Sequence, residues 1–170
     1  MSAEIWDLYD EQGNKTGETW ERSRAGEIPE GRCHIVCDIL IRHRDGDFLL
    51  TRRDPNKKPY PGCLEASAGG SALAGETAEE GARREMKEET GLEAGPLEQI
   101  SVTHWPGSKS VIYAYLAVVD CAKDAVVLQE GETVDYMWVD YPTLMKLITE
   151  DEVLQVQYPR YKPYLDQLKS

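Results

Sequence analysis

Apolar and polar residues alternate between positions 33 and 41, and this period of two predicts a β-strand. The odd-numbered side chains of this segment are apolar, whereas the other face of the strand carries His34 and Asp38. The Asp-Gly pair at 45–46 favours a tight turn. The mainly apolar residues that follow at 48–52 therefore predict the second strand of a hairpin.

Shorter apolar segments predict the remaining strands. At the start of the chain, residues 5–9 and 19–20 flank a turn at 12–15 and predict a small hairpin. A loop rich in proline and glycine covers 53–70 and contains a short extended piece at 64–67. Three later segments have the β-branched and apolar character of strands, at 100–102, 111–119 and 134–139.

Two helices are predicted from their end signals and their apolar periodicity. Thr77 followed by Glu80 forms a capping box, and Gly91 is placed to end the first helix. Between them an apolar residue recurs at every fourth position, at Ala78, Ala82 and Met86. The second helix begins at the Asp-Tyr-Pro sequence of 140–142, because proline is tolerated in a first turn. Prolines interrupt the remaining residues, which predict short helical pieces.

These elements predict an α+β protein with one domain over residues 1–170. We divide this domain into an N-terminal hairpin and loop at 1–30, a core at 31–150 and a C-terminal helical tail at 151–170. The chain length and a hydrophobic content of 41% are typical of one globular domain. No internal repeat or low-complexity segment divides the sequence.

Charge and cysteine content restrict the expected partners and location. The net charge of −12 repels the phosphates of nucleic acids, so we expect no nucleic acid polymer as a partner. The longest apolar run, 111–119, is far shorter than the roughly 20 residues of a membrane-spanning helix, so we expect no membrane association. With no secretory signal and no Cys-x-x-Cys pair, the four cysteines indicate reduced thiols and a cytoplasmic location. The sequence leaves a homodimer open.

Three glutamates in the first predicted helix form the strongest chemical signal. Glu85, Glu88 and Glu89 are spaced so that one face of the helix presents all three carboxylates. Carboxylate oxygens suit a hard cation such as Mg²⁺ or Mn²⁺, with water and substrate phosphates completing its coordination. A glycine-bearing turn precedes the helix and would let backbone carbonyls approach the same ion.

A structural interpretation also fits these glutamates. Glu80, Arg84 and Glu88 form a ladder of alternating charge at i, i+4 spacing, as on many solvated helices. Like-charge crowding costs only about 0.2–0.5 kcal/mol per pair, so its energy does not exclude an exposed helix face. The glutamates alone therefore leave both interpretations open.

The full pattern around these glutamates is more specific. It has the form G-x5-E-x7-R-E-U-x-E-E-x-G-U, where U is apolar. The fixed positions are occupied by Gly70, Glu76, Arg84, Glu85, Glu88, Glu89 and Gly91. From average composition, such a match arises by chance on the order of 10⁻⁸ times per starting position. The chain therefore resembles the Nudix hydrolases, and the order of its strands and helices resembles their fold over most of residues 30–150.

The resemblance implies an α/β/α sandwich with a mixed sheet and a metal-dependent attack of water on a diphosphate. The expected substrate is a small soluble nucleoside di- or triphosphate or a diphosphate-linked metabolite. The resemblance also implies roles: Glu88 and Glu89 as metal ligands, Glu85 as a ligand or the general base, Arg84 to orient the glutamates, Glu76 to brace the turn before the helix, the Gly69 carbonyl as a metal ligand, and Gly70 and Gly91 as structural residues. A bound metal ion would polarise the phosphoryl oxygens and lower the pKa of its water.

Residues outside the pattern are candidates for the rest of the site. A further acidic ligand often precedes a late strand in this family, and Glu132 is the candidate, with Glu130 as the second choice. Either residue could instead be a loop charge. Trp105 and Tyr60 would either stack on a base of the substrate or pack within the protein.

One segment concentrates positive charge, at residues 52–58. A diphosphate needs such a counter-charge, because charged hydrogen bonds to phosphate are among the strongest polar contacts. The candidate substrate-binding residues are Arg52, Arg53 and Lys58. A solubilising loop is the alternative interpretation of the same segment.

Within this family, residues 34–76 are most similar to isopentenyl-diphosphate isomerase, which carries out a different reaction on the same fold. In this alignment the catalytic cysteine of the isomerase falls on Ala68, a metal-binding histidine on Gly70, and its paired glutamates near Ser108 and Ser110. Alanine and serine do not supply the acid–base pair that isomerisation needs. Isomerase activity and a catalytically weak metabolite-binding module are therefore the alternatives to hydrolysis.

Overall fold

A seven-stranded mixed sheet and three α-helices form the framework of this computed structural model, which describes residues 2–169. The strands are β1 Ile5–Tyr9, β2 Lys15–Glu21, β3 His34–His43, β4 Phe48–Arg53, β5 Leu64–Glu65, β6 Ala68–Ser71, β7 Glu98–Trp105, β8 Ser110–Val119 and β9 Thr133–Val139. The helices are α1 Ala78–Thr90, α2 Tyr141–Thr149 and α3 Tyr158–Leu165.

The strand β3 lies at the centre of the sheet. One of its edges pairs in parallel with β8 along the whole strand. Its other edge pairs antiparallel with β6 and then, at Arg42, with β4. β5 and β9 border β4, and β7 borders β8. The hairpin of β1 and β2 forms a separate two-stranded sheet, where the sequence predicts it.

Hydrophobic layers cover both faces of this sheet, which confirms the predicted α/β/α sandwich. On one face, Ile39 of β3 packs in a cluster with Ala82 and Met86 of α1. On the other face, Leu40 packs in a second cluster with Leu144 of α2 and with α3. Because successive side chains of a strand point to opposite faces, β3 separates the two layers.

The two ends of α1 follow the predicted signals. The Thr77 hydroxyl accepts a hydrogen bond from the Glu80 backbone N–H at 3.1 Å, and the Glu80 carboxylate accepts one from the Thr77 N–H at 2.8 Å. Gly91 ends the helix with a φ of 71°, a left-handed conformation that glycine adopts without steric cost. These two signals set the first and last residues of the helix that carries the three glutamates.

The segment after β4 differs from the prediction of one extended piece at 64–67. β5 pairs with β4, whereas β6 begins at Ala68 and pairs with β3. The Ala-Gly-Gly-Ser sequence of β6 has a low intrinsic β propensity, so pairing with β3 determines this strand. Its position brings Gly69 and Gly70 beside the central strand.

The helix α3 packs on the same face of the sheet as α2. Its buried residues are Tyr161, Tyr164 and Leu165, which join the second hydrophobic cluster. Pro159 lies in the first turn of this helix. Backbone N–H groups in the first turn have no acceptor within the helix, so proline, which has no N–H, costs no helical hydrogen bond there. The packing of α3 therefore connects the last part of the chain to the central sheet.

The longest helix of the described chain is α1, with 13 residues. No helix between residues 2 and 169 is both long and apolar enough to cross a membrane. All four cysteines are free thiols, as the sequence predicts.

Replacing Thr77 with alanine should lower the free energy of unfolding by about 0.5–2 kcal/mol, because the Glu80 N–H at the start of α1 loses its acceptor. Thr77→Ser keeps the hydroxyl and should retain most of the stability. Urea unfolding followed by circular dichroism compares both variants with the parent chain. An equal loss of stability in the two variants would contradict the role of the hydroxyl as a cap.

Candidate functional site

The residues of the glutamate pattern meet where α1 packs against β6. In the antiparallel pairing of β6 with β3, Gly69 lies opposite Asp38 and Gly70 lies opposite Cys37. The helix α1 contacts both of these strands. Its glutamate side chains therefore reach the backbone of the two glycines.

Lack of space explains why glycine occupies positions 69 and 70. A Cβ atom at residue 70 would lie 2.4 Å from the Cδ atom of Glu85, which is far inside van der Waals contact. A Cβ atom at residue 69 would lie 2.7 Å from the Cys37 carbonyl oxygen and 2.8 Å from Asp38 Oδ1. A side chain at residue 69 would therefore collide with the backbone of β3, and one at residue 70 would displace the Glu85 carboxyl group from its present position.

Glu89 is the most buried glutamate of the pattern, with 3% of its surface exposed. Its Oε2 atom accepts a hydrogen bond from the Gly69 backbone N–H at 3.1 Å. Burial, together with the nearby carboxylates of Glu65 and Glu85, raises the pKa of Glu89 to about 8. A cation beside this carboxylate would favour its charged form.

Arg84 connects the other glutamates of the pattern. Its Nε atom donates to Glu76 at 2.7 Å, and its Nη1 atom donates to Glu85 at 2.8 Å and to Glu88 at 3.2 Å. Its Nη2 atom donates to the Ser71 carbonyl at 3.0 Å, which holds the guanidinium against the end of β6. Burial raises the pKa of Glu85, although the adjacent Arg84 acts in the opposite direction. Arg84 thus orients three carboxylates at once.

A cleft of about 620 Å³ opens over these side chains, and we call it the carboxylate cleft. Five carboxylates and three cationic side chains line it. All five residues that the sequence suggests as metal ligands come together here: Gly69, Glu85, Glu88, Glu89 and Glu132. Glu132 enters from the loop before β9 and forms an ion pair with Lys57.

The donors of the carboxylate cleft fit a divalent cation. All the candidate ligands supply oxygen atoms, which Mg²⁺ and Mn²⁺ prefer. Glu85 and Glu89 are close enough for their charges to repel, and a bound cation would offset that repulsion. Between residues 2 and 169, no three acidic, histidine or cysteine side chains already stand in a metal-binding arrangement. Glu85 and Glu88 instead turn toward Arg84.

A second cleft, of about 400 Å³, adjoins the first along Gly69 and Gly70, which line both. We call it the basic cleft, because five cationic side chains and only two carboxylates line it. The exposed aromatic rings of Tyr60 and Trp105 also line this cleft. The two clefts therefore form one groove whose halves have opposite charge.

The structure separates the three predicted phosphate contacts. Arg53 and Lys58 line the basic cleft, whereas Arg52 is outside the lining of both clefts. The Arg52 guanidinium donates to the Gly62 carbonyl at 2.9 Å and so holds the loop after β4. Arg53 forms an ion pair with the buried Glu65 at 3.1 Å. Arg52 and Arg53 diverge because successive side chains of a strand point to opposite faces.

An ion pair in the basic cleft has no motif in the sequence. Asp38 lies buried in β3 and pairs with Arg160 of α3 at 2.5 Å. Burial raises the pKa of Asp38, and the charge of Arg160 acts against this shift. An acidic residue on an otherwise mostly apolar strand was the only signal of this pair. Its partner comes 122 positions later in the chain, so spacing does not reveal it.

The positions aligned with the isomerase contain no acid–base pair. Ala68 is buried, and the hydroxyls of Ser108 and Ser110 hydrogen-bond to each other at 2.6 Å. His34 stacks on Trp6 with ring centroids 3.9 Å apart, and burial lowers its pKa to about 4. Among the described residues, no cysteine lines either cleft.

Comparisons with known proteins identify relatives of the chain. The sequence profile of the NUDIX domain matches residues 33–161. An uncharacterised Nudix hydrolase of Listeria monocytogenes is 37% identical over 89 residues, which are 52% of this chain and 52% of that protein. The match thus spans about half the length of this curated relative.

Two further matches cover more of the chain. An isopentenyl-diphosphate Δ-isomerase of Salmonella heidelberg is 29% identical over 152 residues, which are 86% of this chain and 82% of the isomerase. A crystal structure from Deinococcus radiodurans superimposes with a TM-score of 0.68 at 25% identity, and the match covers 88% of this chain and 91% of that one. These matches confirm the fold class and the family resemblance that the sequence predicts.

Glu89→Gln should stabilise the metal-free protein, and the gain should grow with pH. The pKa of this carboxyl group rises from an ordinary value of 4.5 to about 8 on folding. The stability contributed by its protonated form is therefore complete below about pH 4.5 and is lost as the pH rises to about 8. We expect a difference between variant and parent chain of roughly 2–5 kcal/mol at pH 8 and little at pH 4.5.

Urea unfolding in EDTA across this pH range measures the difference. Glu88→Gln is the matched control, because 47% of the Glu88 side chain is exposed and its charge should affect stability less. A Glu89→Gln difference that stays constant with pH would argue against a buried, titrating carboxylate.

Proposed function

Because the chain belongs to the Nudix family, we propose that it is a cytoplasmic enzyme that hydrolyses a diphosphate bond with the help of Mg²⁺ or Mn²⁺. Its substrate is a small soluble nucleoside di- or triphosphate or another diphosphate-linked metabolite. One observation carries this proposal: the five candidate metal ligands line a single cleft, beside a second cleft of opposite charge. The acidic half suits cations, and the basic half suits phosphate.

The proposed metal ligands are four carboxylates and one backbone carbonyl, those of Glu85, Glu88, Glu89, Glu132 and Gly69. When bound, the cation polarises the phosphoryl oxygens and lowers the pKa of a coordinated water. Arg84 limits the rotation of two of these carboxylates, because it hydrogen-bonds to both. Such prior orientation lowers the entropy that is lost when the reacting groups are brought together.

Two roles suit Glu85, that of a metal ligand and that of the general base. Burial raises its pKa, so its carboxylate accepts a proton more readily near neutral pH than an exposed glutamate does. The Arg84 guanidinium, 2.8 Å away, keeps the carboxylate oriented. We favour Glu85 as the base, with Glu88 and Glu89 as the principal ligands.

Lys58 and Arg53 are the proposed phosphate contacts, since both line the basic cleft. Arg52 acts indirectly in this proposal, because its bond to the Gly62 carbonyl holds the loop that carries Lys58. Phosphate contacts position a substrate without selecting the rest of the molecule. Substrate preference must therefore come from other residues of the groove.

Isomerisation of isopentenyl diphosphate is the alternative that the Salmonella relative suggests. That reaction needs an acid–base pair on the two sides of an alkene. No cysteine of the described chain lines either cleft, and His34 is occupied by its stacking on Trp6. These observations favour hydrolysis. The full set of glutamates in the carboxylate cleft likewise argues against a module that only binds metabolites.

Glu88→Gln and Glu89→Gln should each lower kcat by at least about 100-fold, because each removes a carboxylate from the proposed cation site. Glu79→Gln is the control on the same helix, since Glu79 is exposed and pairs with Arg83. Its activity should match that of the parent chain, and circular dichroism should show all three variants folded. Parental rates in the first two variants would refute the assignment of the ligands.

A substrate panel is the most informative experiment. Nucleotides, nucleotide sugars, dinucleoside polyphosphates and prenyl diphosphates would be assayed for released phosphate with and without a coupling phosphatase. We expect hydrolysis of at least one compound with Mg²⁺ or Mn²⁺ and none in EDTA. Isopentenyl diphosphate followed by NMR should show no migration of the double bond. A dimethylallyl product would instead establish the isomerase, and hydrolysis of no compound would favour the binding module.

A further inference from the structure

Lys57 lies where the two clefts of the groove meet, because its side chain lines both of them. Its ammonium group forms an ion pair with Glu132, the candidate metal ligand in the loop before β9. The pair is partly shielded from water, since 19% of the Lys57 side chain and 33% of the Glu132 side chain are exposed. A candidate ligand of the carboxylate cleft is therefore already engaged by a positive charge of the chain itself.

Backbone hydrogen bonds tie together the two loops that carry this pair. The Asp54 N–H donates to the Glu132 carbonyl at 3.0 Å, and the Lys57 N–H donates to the Asp54 carbonyl at 3.0 Å. The Asp54 carboxylate also accepts a hydrogen bond from the Asn56 N–H at 2.7 Å. Because these bonds involve neither the ammonium group nor the Glu132 carboxylate, the two side chains can separate while the loops keep their positions.

The other two cationic side chains of the carboxylate cleft are held differently. Arg84 donates to three carboxylates and to the Ser71 carbonyl, so its displacement would break several hydrogen bonds. Arg22 pairs with Glu4, which is not a candidate ligand. In the described part of the chain, Lys57 has one ion-pair partner, and its ammonium group is a single charge on a flexible four-carbon stem. Lys57 is therefore the side chain that a metal ion bound at the candidate ligands displaces most easily.

A metal ion at the candidate ligands would compete with Lys57 for Glu132. Burial lowers the pKa of Lys57, and the negative charge of Glu89 acts in the opposite direction, so the ammonium group is close enough to interact with a second candidate ligand. A divalent cation held by Glu89 and Glu132 would therefore meet a like charge, and the repulsion is strong where water is partly excluded. Binding of the cation then requires that the ammonium group leave Glu132.

We propose that Lys57 is an internal competitor of the metal ion, which occupies the Glu132 carboxylate and lowers the affinity of the carboxylate cleft for divalent cations. This role rests on the cation site of the function proposed above. Lys57 acts only through Glu132 and is not a catalytic residue in this role. The affinity for the cation is set by the difference between its own attraction to Glu132 and that of the ammonium group. The cation is consequently held more weakly than the same carboxylates would hold it without the lysine.

Direct measurement of Mn²⁺ binding tests this role without a substrate. The electron paramagnetic resonance signal of free Mn²⁺ gives the dissociation constants for the parent chain, Lys57→Met and Lys58→Met. We expect Lys57→Met to bind Mn²⁺ at least about threefold more tightly, because no ammonium group competes for Glu132. Lys58→Met is the matched control, since it removes the same charge from the next residue, which is exposed and of the two clefts lines only the basic one. This control should bind Mn²⁺ as the parent chain does.

A double-mutant cycle separates competition for Glu132 from a general effect of charge. Glu132→Gln removes the carboxylate for which the two cations compete, so Lys57→Met should change the Mn²⁺ affinity little when both substitutions are combined. Lys57→Arg keeps a cation that pairs with the carboxylate, and its guanidinium can donate two hydrogen bonds. We expect it to bind Mn²⁺ no more tightly than the parent chain does. Circular dichroism checks that all variants fold, and Lys57→Gln replaces Lys57→Met if the latter does not.

The outcomes distinguish this role from the proposed function. If Lys57→Met binds Mn²⁺ no more tightly than the parent chain, or gains as much with Glu132→Gln as without it, the competition is overturned and the cation site stands. Absence of Mn²⁺ binding in the parent chain and in every variant would overturn the cation site and the competition together. Tighter binding to Lys57→Met, with hydrolysis of no compound of the substrate panel, would support the competition and count against hydrolysis.

Discussion

The close approach of α1 to the glycine backbone of β6 is the contact on which the whole site depends. The Glu85 carboxyl group lies where a side chain at residue 70 would begin, and Glu89 accepts the N–H of Gly69. A larger residue at position 70 would displace the Glu85 carboxyl group, and one at position 69 would displace the Cys37 carbonyl and the Asp38 carboxylate of β3. Glycine serves here by leaving space, whereas Gly91 serves by its left-handed conformation. The caps at the two ends of α1 fix where the helix begins and ends, and so fix the positions of its glutamates relative to β6.

The same packing buries the carboxylates, and burial disfavours their charged form. Burial raises the pKa values of Glu85 and Glu89, and only the former has an arginine beside it. Arg84 supplies one positive charge for three carboxylates, so the carboxylate cleft keeps an excess of negative charge where it opens. A hard cation is the natural partner for such an excess. The basic cleft next to it reverses the sign within the same groove.

How far the sequence predicts the site depends on the separation of the interacting residues along the chain. The capping box and the three glutamates of α1 lie within a few turns of one helix, so local spacing reveals their shared face. The pair of Asp38 and Arg160 depends on how α3 packs against the sheet, and no local pattern contains it. Arg52 and Arg53 are neighbours in the sequence and diverge in the structure. Charge composition identifies that segment, but only the strand pairing shows which arginine faces the groove.

The alternation of side chains along β3 restricts the sequence changes that this protein can accept during evolution. Its odd-numbered side chains belong to the layer under α1, while Val36 and Asp38 on its other face line the groove. Substitutions at the groove-facing positions can alter ligand preference without disturbing the packing under α1. A single insertion or deletion would exchange the two sets of side chains, because each residue would move to the opposite face. Selection on ligand preference and selection on stability therefore act on alternate positions of the same strand. Substitutions can change one set of positions and leave the other intact, whereas a change in the length of the strand disrupts both.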